Sequence, residues 1–329
     1  MFVLPKVAEV AVMRPMFHRN RIVLVPVSSA VAAASARRPL VVSLAGVLLG
    51  LLPATASGEP KLDPHPPRHA DPERNGSLVI VGGGGMPDTI RDRFLELAGG
   101  KKGKLVVIPT ASTAFDRPQN SKSYSYWRQQ GLASVSMLHT TDPKQANDPA
   151  FIKPLTEATA AWLGGGDQSR LAGAYRGTAV EKELHRLLAR GGVVGGTSAG
   201  ASVMSAVMIT GGNPQARIGI GFGLLPDVVI DQHFENRKRQ KRLQGVLLQH
   251  PRCLGLGIDE MTAVVVHGDT FTVLGDANVV LCMPPLGAHP SRMKVLKSGE
   301  AGNLIQLAKS LLAPLKSSAE TKSVASKEP

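Results

Sequence analysis

Three short apolar runs in this chain end in clustered glycines: SLVIVGGGG at 77–85, AAWLGGG at 160–166 and GVVGG at 192–196. Each has the length and character of a buried strand, and each stops at residues that let the backbone turn sharply. Between the first and the next apolar run, KLVVIPT (104–110), lies DTIRDRFLELAGG, with Ile90, Phe94 and Leu97 at helical spacing. Further strands are expected at VSMLH (135–139), DVVID (227–231) and LGLGID (254–259), with helices near 179–190, 199–208 and 235–249. Strands alternating with helices require a mostly parallel sheet covered on both faces, an α/β fold. Later the pattern becomes TAVVVHGDTFTVLGDANVVL, whose alternation around Gly268-Asp269 and Gly275-Asp276 predicts antiparallel hairpin strands closing one edge.

The ends differ from this middle. Arg37-Arg38, the apolar LVVSLAGVLLGLL (40–52) and the small residues Ala54 and Ala56 follow the order of a secretory signal. At about 13 residues the apolar stretch is short for a bilayer span, so residues 1–56 read as a leader removed on export to the periplasm or outside. The protein is cytoplasmic if its true start lies downstream of that leader. Residues 57–76 hold five prolines and read as a linker, 77–300 as the catalytic domain, and 301–329 as a short helix followed by disorder.

With 329 residues, 43% of them hydrophobic, the chain can bury one large core. Its net charge of +13 favours acidic partners, although the leader contributes six of the basic residues and only one acid. The two cysteines, Cys253 and Cys282, are too few for a disulfide framework or a cysteine-rich zinc site. They are expected as separate buried thiols, a pairing in an oxidising compartment being the alternative. Gly82-x-Gly84-x-x-Pro87 lacks the third glycine of a dinucleotide fingerprint, and no cofactor or metal is implied.

Gly196-Thr197-Ser198-Ala199-Gly200 is G-x-S-x-G, the pattern that lifts a nucleophilic serine onto a strand-to-helix turn; its bland alternative is a tight turn alone. A nucleophile needs a base and an orienting acid. His233 in VVIDQHF and Glu260 in LGLGIDE each stand just past an expected strand, whereas His185 and His250 fall in surface helices and His65 and His69 in the linker. The order Ser, His, Glu is not that of α/β-hydrolases, which counts against an esterase or lipase. Gly165 and Gly166, with Ala199, are candidate oxyanion donors, because backbone without a side chain approaches a reacting carbonyl closely. Gly195 and Gly196 read as room for the bend, and Gly200 as close packing behind the nucleophile.

The segment HFENRKRQKRL (233–243) carries five basic residues between Arg237 and Arg242. On a helix it would set Arg237 one turn from His233 and place Arg239 and Arg242 on a neighbouring strip, where arginines can clamp a substrate carboxylate. A solvated basic face is the alternative, and scarce aromatics count against nucleic-acid binding.

GGTSAGASVMS, GGGDQSRL, DQHFENRKRQKRL and GIDEMTA, in this order, resemble the motifs of cyanophycinases and their relatives in the dipeptidase E family of serine peptidases, over roughly residues 77–285. The resemblance implies a flavodoxin-like (class I glutamine amidotransferase-like) domain with Ser198 as nucleophile, His233 as base and Glu260 as the orienting acid. It also implies that Gln168, Asp231, Gln232, Arg237, Arg239 and Arg242 line a site for β-aspartyl-arginine units on a poly-aspartate backbone. The stretch from Met208 to Gly221 is shorter than in typical cyanophycinases and is expected to border the pocket. A general acidic or β-aspartyl dipeptidase, or a non-catalytic module binding acidic polymers on the same fold, stays open. So does a homodimer; no nucleic acid or lasting membrane span is expected.

Overall fold

The computed structural model describes residues 75–116, 122–284 and 291–312. The leader, nearly all of the expected linker, and the tail after residue 312 lie outside the described residues. The described residues fall in the second of the two units into which the chain divides, Gly58–Pro329.

The first half is a βα alternation. Strands β1 (Ser77–Val81), β2 (Lys104–Ile108), β3 (Ser134–Met137), β4 (Ala160–Leu163) and β5 (Val193–Thr197) are interleaved with helices α1 (Asp88–Leu97), α2 (Lys122–Arg128), α3 (Pro149–Thr156), α4 (Gln168–Tyr175) and α5 (Ala179–Ala189). A single turn, α6 (Ala199–Ser202), leads to β6 (Val207–Gly211), β7 (Arg217–Ile220), β8 (Val228–Gln232), α7 (Gln240–Gln249) and β9 (Leu254–Ile258). Then come β10 (Thr262–His267), β11 (Thr270–Gly275), β12 (Asn278–Cys282), β13 (Met293–Lys297), β14 (Ala301–Asn303) and α8 (Leu304–Leu312).

The main sheet has the order β14-β11-β10-β1-β5-β4-β2-β3. Its five strands from β1 to β3 are parallel, and β10, β11 and β14 add antiparallel strands beyond β1. Both faces of its central strands β1, β5 and β4 are buried, as the unbroken apolar strands predict. Along β1, Val79 and Val81 pack with Ile90, Phe94 and Trp127 on one side, while Leu78 and Ile80 join Leu155, Leu171 and Leu184 on the other. Phe94, Trp127 and Trp162 form a ring cluster with centroids 4.9–5.1 Å apart. Gly195 makes room for it: a Cβ there would stand 2.5 Å from Trp162 Cζ3 and 2.7 Å from Phe94 Cε2.

Several expectations needed revision. The strands at 227–231 and 254–259 do not join the main sheet but form a second one, β13-β12-β9-β8, in which only β8 and β9 are parallel. Apolar content predicts that a strand is buried, not which sheet buries it. The hairpin series divides for the same reason, β10 and β11 staying in the main sheet while β12 crosses to the second. The expected helix at 199–208 is one turn, because Val207–Gly211 pairs instead with Arg217–Ile220 in a separate two-stranded hairpin. The helix expected from 235 begins only at Gln240; before it the chain turns irregularly, with φ of 50° at both His233 and Lys238. The main sheet also extends past residue 300 through β14, and α8 buries Leu304 and Ala308 against the core. Both cysteines are buried and unpaired, as expected. Among the described residues no helix is long and apolar enough to cross a membrane.

Candidate active site

Ser198 follows β5 directly and begins α6 with φ 52° and ψ −109°, a conformation that non-glycine residues adopt at a cost of about 1–3 kcal/mol. The bend therefore occurs at the serine itself and not at Gly195 or Gly196, which lie inside β5. Gly196 and Gly200 face each other closely enough that a Cβ on Gly196 would be 2.6 Å from Gly200 O, and one on Gly200 2.6 Å from the Leu163 carbonyl carbon. Gly200 thus has the close-packing role expected for it, seating α6 on β4.

His233 follows β8 and Glu260 lies two residues past β9, so the second sheet delivers both to the serine. Ser198 Oγ is 2.8 Å from His233 Nε2, and His233 Nδ1 is 2.5 Å from Glu260 Oε1. The three residues named from sequence are thus in hydrogen-bonding contact in the expected order. Burial lowers the pKa of His233 below the ordinary 6.5; the Glu260 hydrogen bond opposes this, while Arg237 and Arg239 push it down further. The imidazole is neutral at neutral pH, free to accept the serine proton.

The end of β1 ties the three together. The carbonyls of Val81, Gly82 and Gly83 accept, in turn, the N–H groups of Ser198 (3.0 Å), His233 (2.9 Å) and Met261, the residue after Glu260 (2.8 Å). Gly83 lies against the imidazole, and a Cβ on Gly84 would be 2.7 Å from Glu260 Cβ. The four-glycine run that raised the question of a dinucleotide is therefore the backing of the His–Glu pair. Among the described residues, three of the four non-glycine residues with positive φ, Ser198, His233 and Met261, belong to this construction. Sequence reasoning missed Asp259, whose Oδ1 accepts the Glu235 N–H at 2.9 Å and fixes the loop after His233. An Asp directly before the candidate acid Glu260 was the available signal.

Of the two glycines among the oxyanion candidates, Gly165 lies against Ser198: a Cβ on it would be 3.6 Å from Ser198 Cβ. Among the described residues no acceptor takes the N–H of Gly165, Gly166 or Ala199. Gly166 is turned against the Ala111 carbonyl with φ 142°.

A cavity of about 360 Å³ opens in front of Ser198, lined by Gly166, Asp167, Gln168, Ser169, Thr210, Gly211, Arg217, Gln232, Arg237, Arg239 and Arg242. Gln168, Gln232 and the three arginines named from sequence are on this wall. Asp231 is not: it is fully buried, and Arg242 holds its two oxygens through Nε (2.9 Å to Oδ2) and Nη2. Arg239 donates through Nη1 to the Gln232 carbonyl (2.5 Å) and side-chain oxygen and lies 3.5 Å from Asp231 Oδ1. Burial and the neighbouring Arg242 push the Arg239 pKa down to about 10, still charged at neutral pH. Asp231 thus braces the arginines from behind, a role set by a strand position facing inward. Gln168 Nε2 donates to the Ile209 carbonyl at 2.6 Å, fastening β6 to the site. Arg217 and Thr210 were not singled out, although the stretch that carries them was expected to border the pocket.

Comparison with known proteins agrees with this geometry. The model of peptidase family S51 matches residues 78–274. A cyanophycinase from Synechococcus elongatus is 32% identical over 69% of this chain and 79% of its own length. One from Geminocystis herdmanii is 33% identical over 70% of this chain and 94% of its own. The solved structure of a peptidase from an acI-B1 Actinobacterium superposes with a TM-score of 0.55 at 25% identity, covering 69% of this chain and 96% of that one. With a mostly parallel flavodoxin-like sheet, a serine on a strained strand-to-helix turn and a family match across most of the described domain, this chain belongs to peptidase family S51 and is a serine-type peptidase.

Proposed function

We propose that the chain is a cyanophycinase-like exopeptidase, hydrolysing cyanophycin or related β-aspartyl peptides to dipeptides through an acyl-enzyme. The observation that carries this reading is the relay from Ser198 Oγ through His233 to Glu260, at 2.8 and 2.5 Å, beside a cavity walled by arginines. In the proposed reaction Ser198 Oγ attacks the scissile carbonyl carbon as His233 Nε2 takes its proton. The N–H groups of Gly165 and Ala199 meet the oxyanion, each such donor contributing about 3 kcal/mol to transition-state stabilisation. His233 then returns the proton to the leaving amine, and a water, deprotonated by the same imidazole, releases the acyl group from Ser198. Glu260 accepts the Nδ1–H throughout, fixing the tautomer and stabilising the imidazolium.

The names of the relatives support cyanophycin as substrate. The relay favours catalysis over a binding-only module, which has no use for a strained serine hydrogen-bonded to a neutral imidazole. The test is turnover of cyanophycin and of β-aspartyl dipeptides by the protein and by Ser198→Ala. The variant is expected to lose at least about 10⁴-fold in kcat, and equal turnover by both proteins overturns the assignment. From the order Arg37-Arg38, apolar 40–52 and Ala54/Ala56 we also propose export. N-terminal sequencing of material released by the producing cell is expected to find a start after residue 52, and an intact leader removes the proposal.

A further inference from the structure

The glycine loop beside Ser198 is shaped by the segment that follows β2. On one side of Gly165 and Gly166, Gly164 donates to the Ile108 carbonyl (3.0 Å), and on the other Asp167 donates to that of Ala111 (2.9 Å). The glycines follow the contour of that segment: a Cβ on Gly164 would stand 3.2 Å from Pro109 Cα, and one on Gly166 2.3 Å from the Ala111 oxygen. The direction of the Gly165 N–H is therefore set by where residues 109–112 lie.

Those residues are held in turn from α4. Arg170, in its first turn, donates through Nε to the Thr110 carbonyl (3.0 Å) and through Nη2 to Asp116 Oδ1 (2.6 Å). Thr110 Oγ1 is 2.6 Å from Tyr175 Oη, at the end of the same helix, and 2.9 Å from His139 Nδ1. His139 Nε2 lies 3.4 Å from the Asp116 oxygen that Arg170 also holds. Thr110, His139 and Asp116 have the residue types of a second triad, but Thr110 and Tyr175 are fully buried and no substrate reaches that hydroxyl. The cluster is a brace instead, tying segment 109–116 to α4 and to the loop after β3. Its guanidinium suits that task, because a planar fork fixes two acceptors relative to one another.

We infer that Arg170 is a positioning residue for the hydrolysis: by fastening Thr110 and Asp116 to α4 it keeps the Ala111 carbonyl against Gly166 and Asp167, and so aims the Gly165 N–H at the oxyanion. Arg170 itself is not on the cavity wall. A donor of this kind stabilises the transition state only while it points at the developing charge. The inference deepens the peptidase reading proposed above and rests on its oxyanion step.

The test is labelling by a fluorophosphonate, whose phosphoryl oxygen takes the oxyanion position as Ser198 Oγ bonds to phosphorus, fluoride leaves and the serine proton passes to His233. Arg170→Met is expected to slow labelling about tenfold or more, the scale of a displaced donor. The loss should lie in the limiting rate at saturating reagent and not in the concentration that gives half of it. Asp116→Asn, at a side chain 41% exposed, disturbs the fold least and is expected to act in the same direction by a smaller factor. Arg190 supplies the control: it clamps the Leu155 and Ala158 carbonyls and Glu183 in a similar way, but before β5, at the opposite end of that strand from Ser198. Arg190→Met should lower the urea midpoint and leave labelling of the folded protein unchanged. Labelling at the parent rate in folded Arg170→Met, or in Asp116→Asn where Arg170→Met does not fold, overturns the inference and leaves the peptidase reading standing, as does equal slowing in Arg190→Met. A parent that is not labelled strikes both. Labelling that depends on Arg170 in a protein that turns over no β-aspartyl peptide supports the inference and strikes the proposed substrate alone.

Discussion

The imidazole of His233 rests on the backbone of Gly83: a Cβ at that glycine would stand 2.5 Å from Nε2 and overlap the ring. Gly83 also has φ 110°, so a side chain there is strained as well as obstructed. Gly83→Ala is expected to displace the ring and lower kcat by about 100-fold, the scale of an ångström-sized misplacement. The chain should stay folded, with a stability loss of about 1–3 kcal/mol from the backbone conformation. Steady-state kinetics beside a denaturant titration separates the two, and wild-type kcat in the folded variant contradicts the backing role.

The pH dependence of kcat/KM should carry the mark of His233. Because its pKa in the fold lies below 6.5, the acid limb is expected with a midpoint below that value, activity falling as the proton is taken up. Arg237 is one of the charges pushing it down, so Arg237→Met should move the limb upward, whatever it does to KM. The same shift acts on stability. The unfolded chain binds this proton more readily than the folded one, so the contribution of His233 to stability diminishes as pH falls through 6.5 toward the folded value. A limb that stays in place on removing Arg237 contradicts the electrostatic account.

Asp231 is fully buried between Arg242 and Arg239. Asp231→Asn leaves Arg242 buried without its carboxylate and is expected to cost about 3–5 kcal/mol in a urea titration. Asp231→Leu combined with Arg242→Met removes both charges and should recover much of that loss, while binding of acidic peptide stays impaired.

Cys253 and Cys282 are buried, and burial pushes their thiols up to about 11 and about 12. A thiol reagent is expected to titrate neither in the folded protein and both after unfolding. Rapid reaction of either in the native state contradicts the burial.

Much of the site was legible because its chemistry is local in sequence. G-x-S-x-G names a strained turn, and a His or Glu just past an apolar run stands at a strand's carboxyl end, where α/β sheets gather function. What was not legible depends on partners remote in sequence. DVVID and LGLGID have the composition of main-sheet strands, and only the tertiary pairing of β8 with β9 and the burial of Val228, Ile230, Leu254 and Leu256 in the shared core place them in a second sheet. Asp231 has the residue type of a ligand contact, yet alternation along β8 turns it inward to Arg242. Val207–Gly211 reads as the continuation of a helix until Arg217–Ile220 supplies a strand to pair with. The glycines 82–84 suggest a phosphate loop in isolation; their use is set by His233 and Glu260, more than 140 positions away.

Ser198 stands at the end of a main-sheet strand, and His233 and Glu260 at the ends of strands of the second. A nascent chain that has assembled only the βα alternation and the turn after β5 displays Ser198 with neither His233 nor Glu260 beside it. The Ser198–His233–Glu260 relay therefore forms only when the two layers dock, long after the chain has placed the serine.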